Sequence, residues 1–175
     1  MLIRFDEQAA RQVIVEELTE LQYKIAANMR QAGEVASGRT IASMHVTTQE
    51  YEGTLWGRAF FGVLETGRRA GGVPRDFASI ILQWMKDKGL HGEPIPYKTD
   101  RPHKYTPQQR GDLSMAHAIV QTIRKQGSLL YRSGGRADIY SNEIPKTLAR
   151  IDGRMFRLVH MAVETIKLND TQKIK

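Results

Sequence analysis

The sequence predicts a small α+β protein, in which a long first helix precedes a β-hairpin and three further helices joined by long basic loops. Apolar residues recur with helical spacing in four segments. β-Branched and aromatic residues fill two short runs after the first of these segments. At 175 residues the chain has the size of one ordinary domain. We therefore expect a single α+β domain over residues 1–168, followed by a polar tail over residues 169–175.

The first helix is predicted over residues 7–31. Its apolar residues follow one another at intervals of three or four and form one stripe: Ile14, Leu18, Leu21, Ile25 and Met29. Glu20 and Lys24 have the favourable order for an ion pair one turn apart. A helix of this length spans about 37 Å at 1.5 Å per residue. We expect its apolar stripe to pack against the hairpin.

The hairpin is predicted from two runs, residues 40–46 and 54–63, with a loop over residues 49–53 between them. Glycine weakens a strand because it has no side chain to pack. Gly57 and Gly62 therefore indicate either a bulge or an early end of the second strand.

Three later helices carry their own start and stop signals. The first begins at Pro74 or Arg75 and ends at Gly89, and we expect its Phe77 and Trp84 in the core. In the next, Thr106, Pro107 and Gln109 form a capping box and Gly127 ends the helix. The last helix follows Pro145. The apolar residues of these last two helices again have helical spacing: Leu113, Ala116, Val120 and Ile123, then Leu148, Ile151, Met155, Leu158, Ala162 and Ile166.

The composition excludes several classes of protein. There is no cysteine, which excludes disulfide scaffolds, zinc fingers and thiol catalysis. The five histidines form no i,i+4 pair, the carboxylates do not cluster, and no phosphate-binding or serine-hydrolase motif occurs. We therefore predict that the protein is not an enzyme and has no catalytic residue, cofactor or metal. No run of 18 apolar residues and no signal sequence occurs, so we expect a soluble protein that works or assembles inside a cell.

Positive charge is concentrated in the later part of the chain. The net charge of +7 divides into −2 over residues 1–60 and +9 over residues 61–175. Each of three loops precedes a predicted helix, so we expect the loops to gather at one end of a helical layer, where they could contact phosphates. Their basic residues are the candidate contact residues: Arg68, Arg69, Arg75, Lys98, Arg101, Lys104, Arg132 and Arg136.

Tyrosines alternate with these basic residues, a pattern typical of proteins that stack single-stranded bases on aromatic rings. They are Tyr97, Tyr105 and Tyr131. The alternative interpretation is that the three loops are solvated segments whose charge keeps the protein soluble.

Residues 61–127 resemble a known family. An aromatic run ends in Glu65-Thr66-Gly67, a glycine and proline loop follows, and residues 80–90 read IILQWMKDKGL. Residues 113–127 then read LSMAHAIVQTIRKQG. These motifs are similar to those of the tail-completion, or neck, proteins of tailed bacteriophages. The long first helix and the hairpin also fit the layout of that family.

The resemblance implies a structural protein of the virion. Members of the family form rings at the head–tail junction, which join the portal to the tail around the DNA channel. We accordingly expect a homo-oligomeric ring of about six or twelve copies, with portal or adaptor and tail proteins as partners. Its loops could contact genomic DNA without sequence specificity. The resemblance also implies assembly in the host bacterial cytoplasm and no membrane contact. The alternative function is a basic nucleic-acid-binding accessory protein, whose affinity would fall steeply with salt.

Overall fold

The computed structural model describes residues 6–99 and 102–172, with side chains up to residue 164. It confirms the predicted α+β class, with a long N-terminal helix and an antiparallel hairpin. The described elements are α1 (Glu7–Gln31), α2 (Arg39–Ala42), β1 (His45–Gln49), β2 (Glu52–Trp56), α3 (Val63–Thr66), α4 (Phe77–Lys88), α5 (Pro107–Gln126), α6 (Leu129–Arg132) and α7 (Glu143–Gln172). The chain divides into two compact units. The described part of unit 1 comprises residues 6–33, 40–59 and 137–172, and that of unit 2 comprises 34–39, 60–99 and 102–136.

Helix α1 of unit 1 has the bounds that its periodicity predicts. It begins because the Asp6 carboxylate accepts a hydrogen bond from the Ala9 amide at 2.9 Å, which satisfies one of the free amides of the first turn. Four residues of its apolar stripe are buried, and Leu18 is half-buried. The expected ion pair between Glu20 and Lys24 is present at 2.7 Å.

The hairpin is shorter than predicted. Its strands pair antiparallel, with Val46 opposite Leu55, around a turn at Glu50 and Tyr51. Residues 40–42 belong to α2, because the Ser43 hydroxyl bonds the Thr40 carbonyl and closes a local turn. The second strand ends at Trp56, directly before Gly57, so the early end is confirmed and residue 63 lies in α3. The predicted loop is also shorter, because Gln49, Glu52 and Gly53 lie within the strands.

The hairpin packs against α1, as expected for Ile14 and Leu18. A Cβ atom on Gly53 would collide with both of these side chains, so the strand approaches the helix as closely as a glycine allows. Polar contacts fix the same packing. Arg11 Nε donates to Thr48 Oγ1 at 3.1 Å, and Gln22 donates to the carbonyl of Met44 at 3.0 Å.

Helix α7 lies antiparallel to α1. Asn28 near the end of α1 donates to the carbonyl of Ile139, and Glu17 in its middle contacts Arg150 and Arg154. The helix begins at Glu143 rather than after Pro145, because proline is tolerated in a first turn whose amides lack helical partners. It continues to Gln172, so residues 169–172 of the predicted tail are helical and residues 173–175 lie outside the described part.

The core of unit 2 lies between α4 and α5. Its buried residues are Ile81, Met85, Ala116 and Val120, and Phe77 packs against them. Trp84 was expected in this core, but 39% of its surface is exposed. α5 covers only one side of α4, so the residues that face it are buried while Trp84 and Ile80 remain partly in solvent.

The termini of α4 and α5 follow local chemistry. Residues 74–76 form a turn in which the Phe77 amide bonds the Pro74 carbonyl, so α4 begins at Phe77 rather than at residue 74 or 75. The capping box of α5 is confirmed. Gln109 N donates to Thr106 Oγ1 at 3.1 Å, and the Gln109 side chain accepts from Thr106 N at 2.8 Å.

Candidate functional site

Two of the three basic loops of unit 2 lie against each other at the C-terminal end of α5. Arg68 N donates to Ser128 Oγ at 2.9 Å, and Ser128 N donates to the Arg68 carbonyl at 2.7 Å. The amide of Gly71 donates to the carbonyl of Arg124 at 2.9 Å, in the last turn of α5. Backbone groups therefore hold residues 67–72 against α5 and the start of the loop that follows it.

Two glycines allow this close approach. Gly67 and Gly127 have φ angles of +66° and +83°, which side chains other than glycine rarely adopt. Space is lacking as well. A Cβ on Gly67 would collide with the backbone of Tyr131, and one on Gly127 would lie 2.8 Å from the carbonyl oxygen of Arg68. The contact between the two loops thus depends on glycine at both positions.

Two of the candidate contact residues serve the fold itself. Arg68 Nη2 donates to the Gly72 carbonyl at 2.8 Å, and its guanidinium lies 5.1 Å from the centre of the Phe77 ring. Arg136 pairs with Glu34 at 3.4 Å, and its backbone amide donates to the carbonyl of Glu65. These two arginines fasten the loops to neighbouring segments of unit 2, and their guanidinium groups already have partners within the protein.

Three other candidate residues remain exposed at this end of unit 2: Arg69, Arg75 and Arg132. Arg75 lies in the turn before α4, close to the end where Arg68 contacts Phe77. Arg132 donates to the Gln126 side chain at 3.1 Å. Within the part of the chain that the structure describes, none of the three forms an ion pair with a carboxylate.

Two further cations lie at the same end of unit 2. The sequence analysis does not include them among the candidate contact residues. Arg124 and Lys125 are exposed in the last turn of α5 and likewise lack an ion pair among the described residues. Cations are common in the last turn of a helix because they complement the helix dipole. The position of these two residues in the sequence therefore does not mark them as functional. The sequence does carry one signal that could have identified them. The two cations stand almost directly before the glycine that opens a basic loop. We call the five residues the α5 C-terminal cluster: Arg69, Arg75, Arg124, Lys125 and Arg132.

The described parts of the third loop, residues 90–99 and 102–105, lie at the opposite end of α5. Gly92 N donates to Asp112 Oδ1 at 2.8 Å, and Ile95 N donates to the carbonyl of Pro107 at 2.9 Å. α5 has 20 residues and so separates the two ends by about 30 Å. The prediction that all three loops gather at one end is wrong. α4 and α5 are antiparallel, so the connection between them must lie at the end opposite to the segments that precede α4 and follow α5.

Two candidate residues of this loop, Lys98 and Lys104, are therefore apart from the cluster. Lys98 and Lys104 are exposed, and Arg101 lies outside the described residues. Tyr97 stacks on His103, with ring centres 3.3 Å apart, and the Arg110 guanidinium lies 4.1 Å from the Tyr97 ring centre. This tyrosine is engaged within the protein, which removes it as a stacking platform for bases.

A cleft of about 510 Å³ lies between α4, α5 and this same loop. Apolar side chains such as Leu82, Leu90 and Leu113 line much of it. Its carboxylate, Asp112, accepts hydrogen bonds from the Gln108 side chain and the Gly92 amide, and these bonds hold the pKa of Asp112 below its usual value. Asp112 thus remains ionised and fastens the loop to α5.

Unit 1 contains a buried carboxylate. Glu17 is 4% exposed; Oε2 accepts from Arg150 Nε at 2.6 Å and Oε1 from Arg154 Nη1 at 3.1 Å. Burial pushes the pKa of Glu17 upward, but the hydrogen bonds and charges of the two arginines outweigh it, and the pKa lies below its ordinary value. Arg154 also bonds the exposed Glu16 at 2.6 Å. These ion pairs link α1 to α7.

The opposite side of α7 carries apolar residues in contact with solvent. Leu148, Phe156, Val159 and Val163 fall within one side of the helix, and we call them the α7 face. Phe156 is 70% exposed, and the other three are exposed by more than a third. Of the apolar residues whose spacing predicts this helix, Leu148 is exposed, whereas Ile151, Met155, Leu158 and Ala162 are half-buried. The α1 contact lies on the Arg150 and Arg154 side and leaves the α7 face uncovered.

No group of three or more His, Asp or Glu side chains in residues 6–99 and 102–164 is arranged to hold a metal ion. Across the described helices, none combines the length and the apolar character that crossing a membrane requires.

No family model matches the chain, and neither does any curated protein or any solved structure. The resemblance over residues 61–127 to phage neck proteins therefore stays a prediction from the sequence. Two exposed surfaces have no role in the fold itself, the α7 face of unit 1 and the α5 C-terminal cluster of unit 2.

Proposed function

We propose that the chain is a structural subunit of a tailed-bacteriophage virion, which forms a ring at the head–tail junction and joins the portal to the tail around the DNA channel. Two kinds of evidence support this. Residues 61–127 carry motifs similar to those of neck proteins. The observation that carries the proposal is the α7 face, an apolar surface of the kind that repeated copies of one chain would bury against each other.

The α7 face is a candidate subunit contact because it leaves large apolar side chains in solvent. Soluble monomers rarely expose contiguous apolar patches larger than a few hundred Å², and larger ones mark interaction sites. Four large apolar side chains lie along about 22 Å of α7, from Leu148 to Val163, with the exposed Asp152 between Leu148 and Phe156. In a ring each copy buries this face against its neighbour, and the hydrophobic effect then stabilises the assembly at about 25 cal/mol per Å² of apolar surface.

A structural role also agrees with the chemistry of the described side chains. Glu17 and Asp112 are both engaged in hydrogen bonds that hold elements together. These hydrogen bonds lower the pKa values of both carboxyl groups. Each acts as a structural tie between two segments of its own unit.

The decisive experiment counts this chain in purified phage particles by quantitative mass spectrometry, relative to the portal protein. A ring of about twelve copies would match a twelve-subunit portal one to one, and a ring of about six would give half of that. Complete absence of the chain from infectious particles would refute the proposal and favour the accessory nucleic-acid-binding function.

A substitution on the α7 face tests the contact itself. A phage that lacks the gene is complemented with Phe156→Ser or with Tyr23→Ser, which removes an aromatic ring of equal exposure, 70%, from α1. We expect Phe156→Ser to reduce incorporation into particles by about tenfold, since it removes the largest side chain of the α7 face. Tyr23→Ser should incorporate normally. Equal incorporation of both variants would remove the α7 face as the subunit contact.

A further inference from the structure

We propose that the α5 C-terminal cluster is a binding surface for the phosphate backbone of duplex nucleic acid, without sequence specificity. The surface comprises Arg69, Arg75, Arg124, Lys125 and Arg132. This proposal goes beyond the ring, because it assigns a ligand to one end of unit 2. It does not depend on the virion role, and the two proposals fail in different experiments.

The cluster carries positive charge that no carboxylate among the described residues pairs with. Five exposed cations meet at this end of unit 2, and none has an ion pair among the described residues. The C-terminal dipole of α5 supplies only about half a negative charge. Of the carboxylates at this end, Glu34 pairs with Arg136, and the buried Glu65 offsets one charge at most. Asp76 faces solvent beside Arg75 and offsets one charge at most. The cluster therefore retains a large positive excess.

The backbone that carries Arg69, Arg124 and Lys125 is held in place before any ligand arrives. Arg69 lies between two anchored positions, since Arg68 bonds Ser128 and Gly71 bonds Arg124. Arg124 and Lys125 stand on a regular helix. A preorganised surface loses less conformational freedom on binding than a mobile loop does. This distinguishes the cluster from the alternative of flexible, merely solvating loops.

The residue types of the cluster indicate which kind of anion it binds. Four of the five cations are arginines, whose planar guanidinium donates two hydrogen bonds to a phosphate group. Binding of single strands relies on several aromatic platforms. Tyr97 is occupied by His103 and Arg110, and Tyr105 lies at the opposite end of α5. Of the three candidate tyrosines, Tyr131 alone lies at this end, where it is about half exposed. Phosphate contact with little base stacking favours a duplex over a single strand.

The test measures fluorescence anisotropy of a labelled DNA duplex of about 30 base pairs, titrated with the full chain at several salt concentrations. We expect a dissociation constant in the micromolar range that rises steeply with salt. The triple variant Arg69→Gln, Arg124→Gln, Lys125→Gln removes three cluster charges. It should weaken binding by about tenfold or more and make the salt slope shallower by about 2.7, at 0.9 per lost phosphate contact.

The matched control removes three charges from the other end of unit 2, Lys86→Gln, Lys98→Gln, Lys104→Gln. All three lysines are exposed, so the net charge changes equally while the cluster stays intact. We expect its salt slope to equal that of the unmodified protein. Circular dichroism verifies folding of both variants. The single variant Arg69→Gln, with an expected slope change of about 0.9, replaces the cluster triple if that variant does not fold.

Four results would overturn the proposal. Absence of duplex binding at low salt would remove the ligand. Equal losses in the two triple variants would show that net charge, not this surface, attracts DNA. Displacement of the duplex by polyglutamate at equal charge would assign the surface to acidic proteins. Tighter binding of a single strand of the same length would assign it to base stacking. Particle counts by mass spectrometry are independent of all four.

Discussion

The buried carboxylate of Glu17 supports a prediction about stability. Replacing Glu17 by Gln preserves the shape of the side chain but removes its charge. The amide can still accept one hydrogen bond, but its NH2 group then faces the guanidinium donors of Arg150 or Arg154. Two short charge-assisted bonds, at 2.6 and 3.1 Å, are lost or weakened. We therefore expect Glu17→Gln to destabilise the packing of α7 on α1.

The size of the effect follows from the two bonds and from solvent. A hydrogen bond to a charged group contributes about 1.5–3 kcal/mol. The side chains of Arg150 and Arg154 are about one third exposed, so water replaces part of what each guanidinium loses. Discounting the pair by about half leaves a loss of about 2 kcal/mol. With a urea m-value of about 2 kcal/mol per molar, the midpoint of unfolding should fall by about 1 M.

The assay uses the two tryptophans of the chain, because each unit contains one. Trp56 lies on β2 in unit 1, and Trp84 lies on α4 in unit 2. In a Trp84→Phe background, the fluorescence of Trp56 reports the unfolding of unit 1 by urea. Glu20→Gln is the control, since Glu20 is half exposed on the same helix and should change the midpoint far less.

An unchanged midpoint for Glu17→Gln would refute this reasoning. It would mean that the cost of removing the carboxylate from water cancels what its hydrogen bonds contribute, as happens in some buried ion pairs. A double-mutant cycle with Arg150→Gln separates the alternatives. A coupling energy of about 1 kcal/mol or more supports direct contact, and strict additivity of the two substitutions contradicts it.

Two further predictions concern acid and the glycine junction. The pKa of Glu17 lies below its ordinary value of 4.5, so its contribution to stability is complete above that pH and is lost as pH falls through the lowered pKa. Unit 1 should therefore lose stability below about pH 4.5, less so in Glu17→Gln, and parallel acid titrations of both proteins would contradict this. Gly127→Ala should destabilise unit 2 by about 3 kcal/mol, from a positive φ and a collision with the backbone. Gly134→Ala, with a positive φ in open space, should cost about 1 kcal/mol. Urea unfolding followed by Trp84 measures both substitutions, and equal costs would mean that the loops separate without penalty.

Local signals in the sequence predict the elements well, because they act over a few residues. The capping box at Thr106 and the glycine at 127 set the ends of α5 as expected, and the periodicity of residues 7–31 predicts α1 in full. Errors arise where a local bond competes with a β-branched run. Residues 40–42 look like a strand by composition, yet the turn bond between Ser43 and Thr40 makes them helical.

The candidate surfaces are only partly predictable. The sequence shows that the loops are basic, and this predicts Arg69, Arg75 and Arg132 as contact residues. Which cations remain exposed depends on contacts between distant residues. Arg68 turns inward to Gly72 and Phe77, while Arg124, in an ordinary last helical turn, joins the cluster because Gly71 bonds its carbonyl.

The sequence by itself determined the α+β class, the long helices, their caps and the basic character of the loops, because each depends on neighbouring residues and on composition. The tertiary structure decided which loops meet. The antiparallel packing of α4 and α5 puts the loop over residues 90–105 at one end and the α5 C-terminal cluster at the other. It also decided that the α7 face stays in solvent, because α1 contacts α7 through Arg150 and Arg154. Periodicity marks a stripe as apolar, but only the position of neighbouring elements determines how much of it is covered.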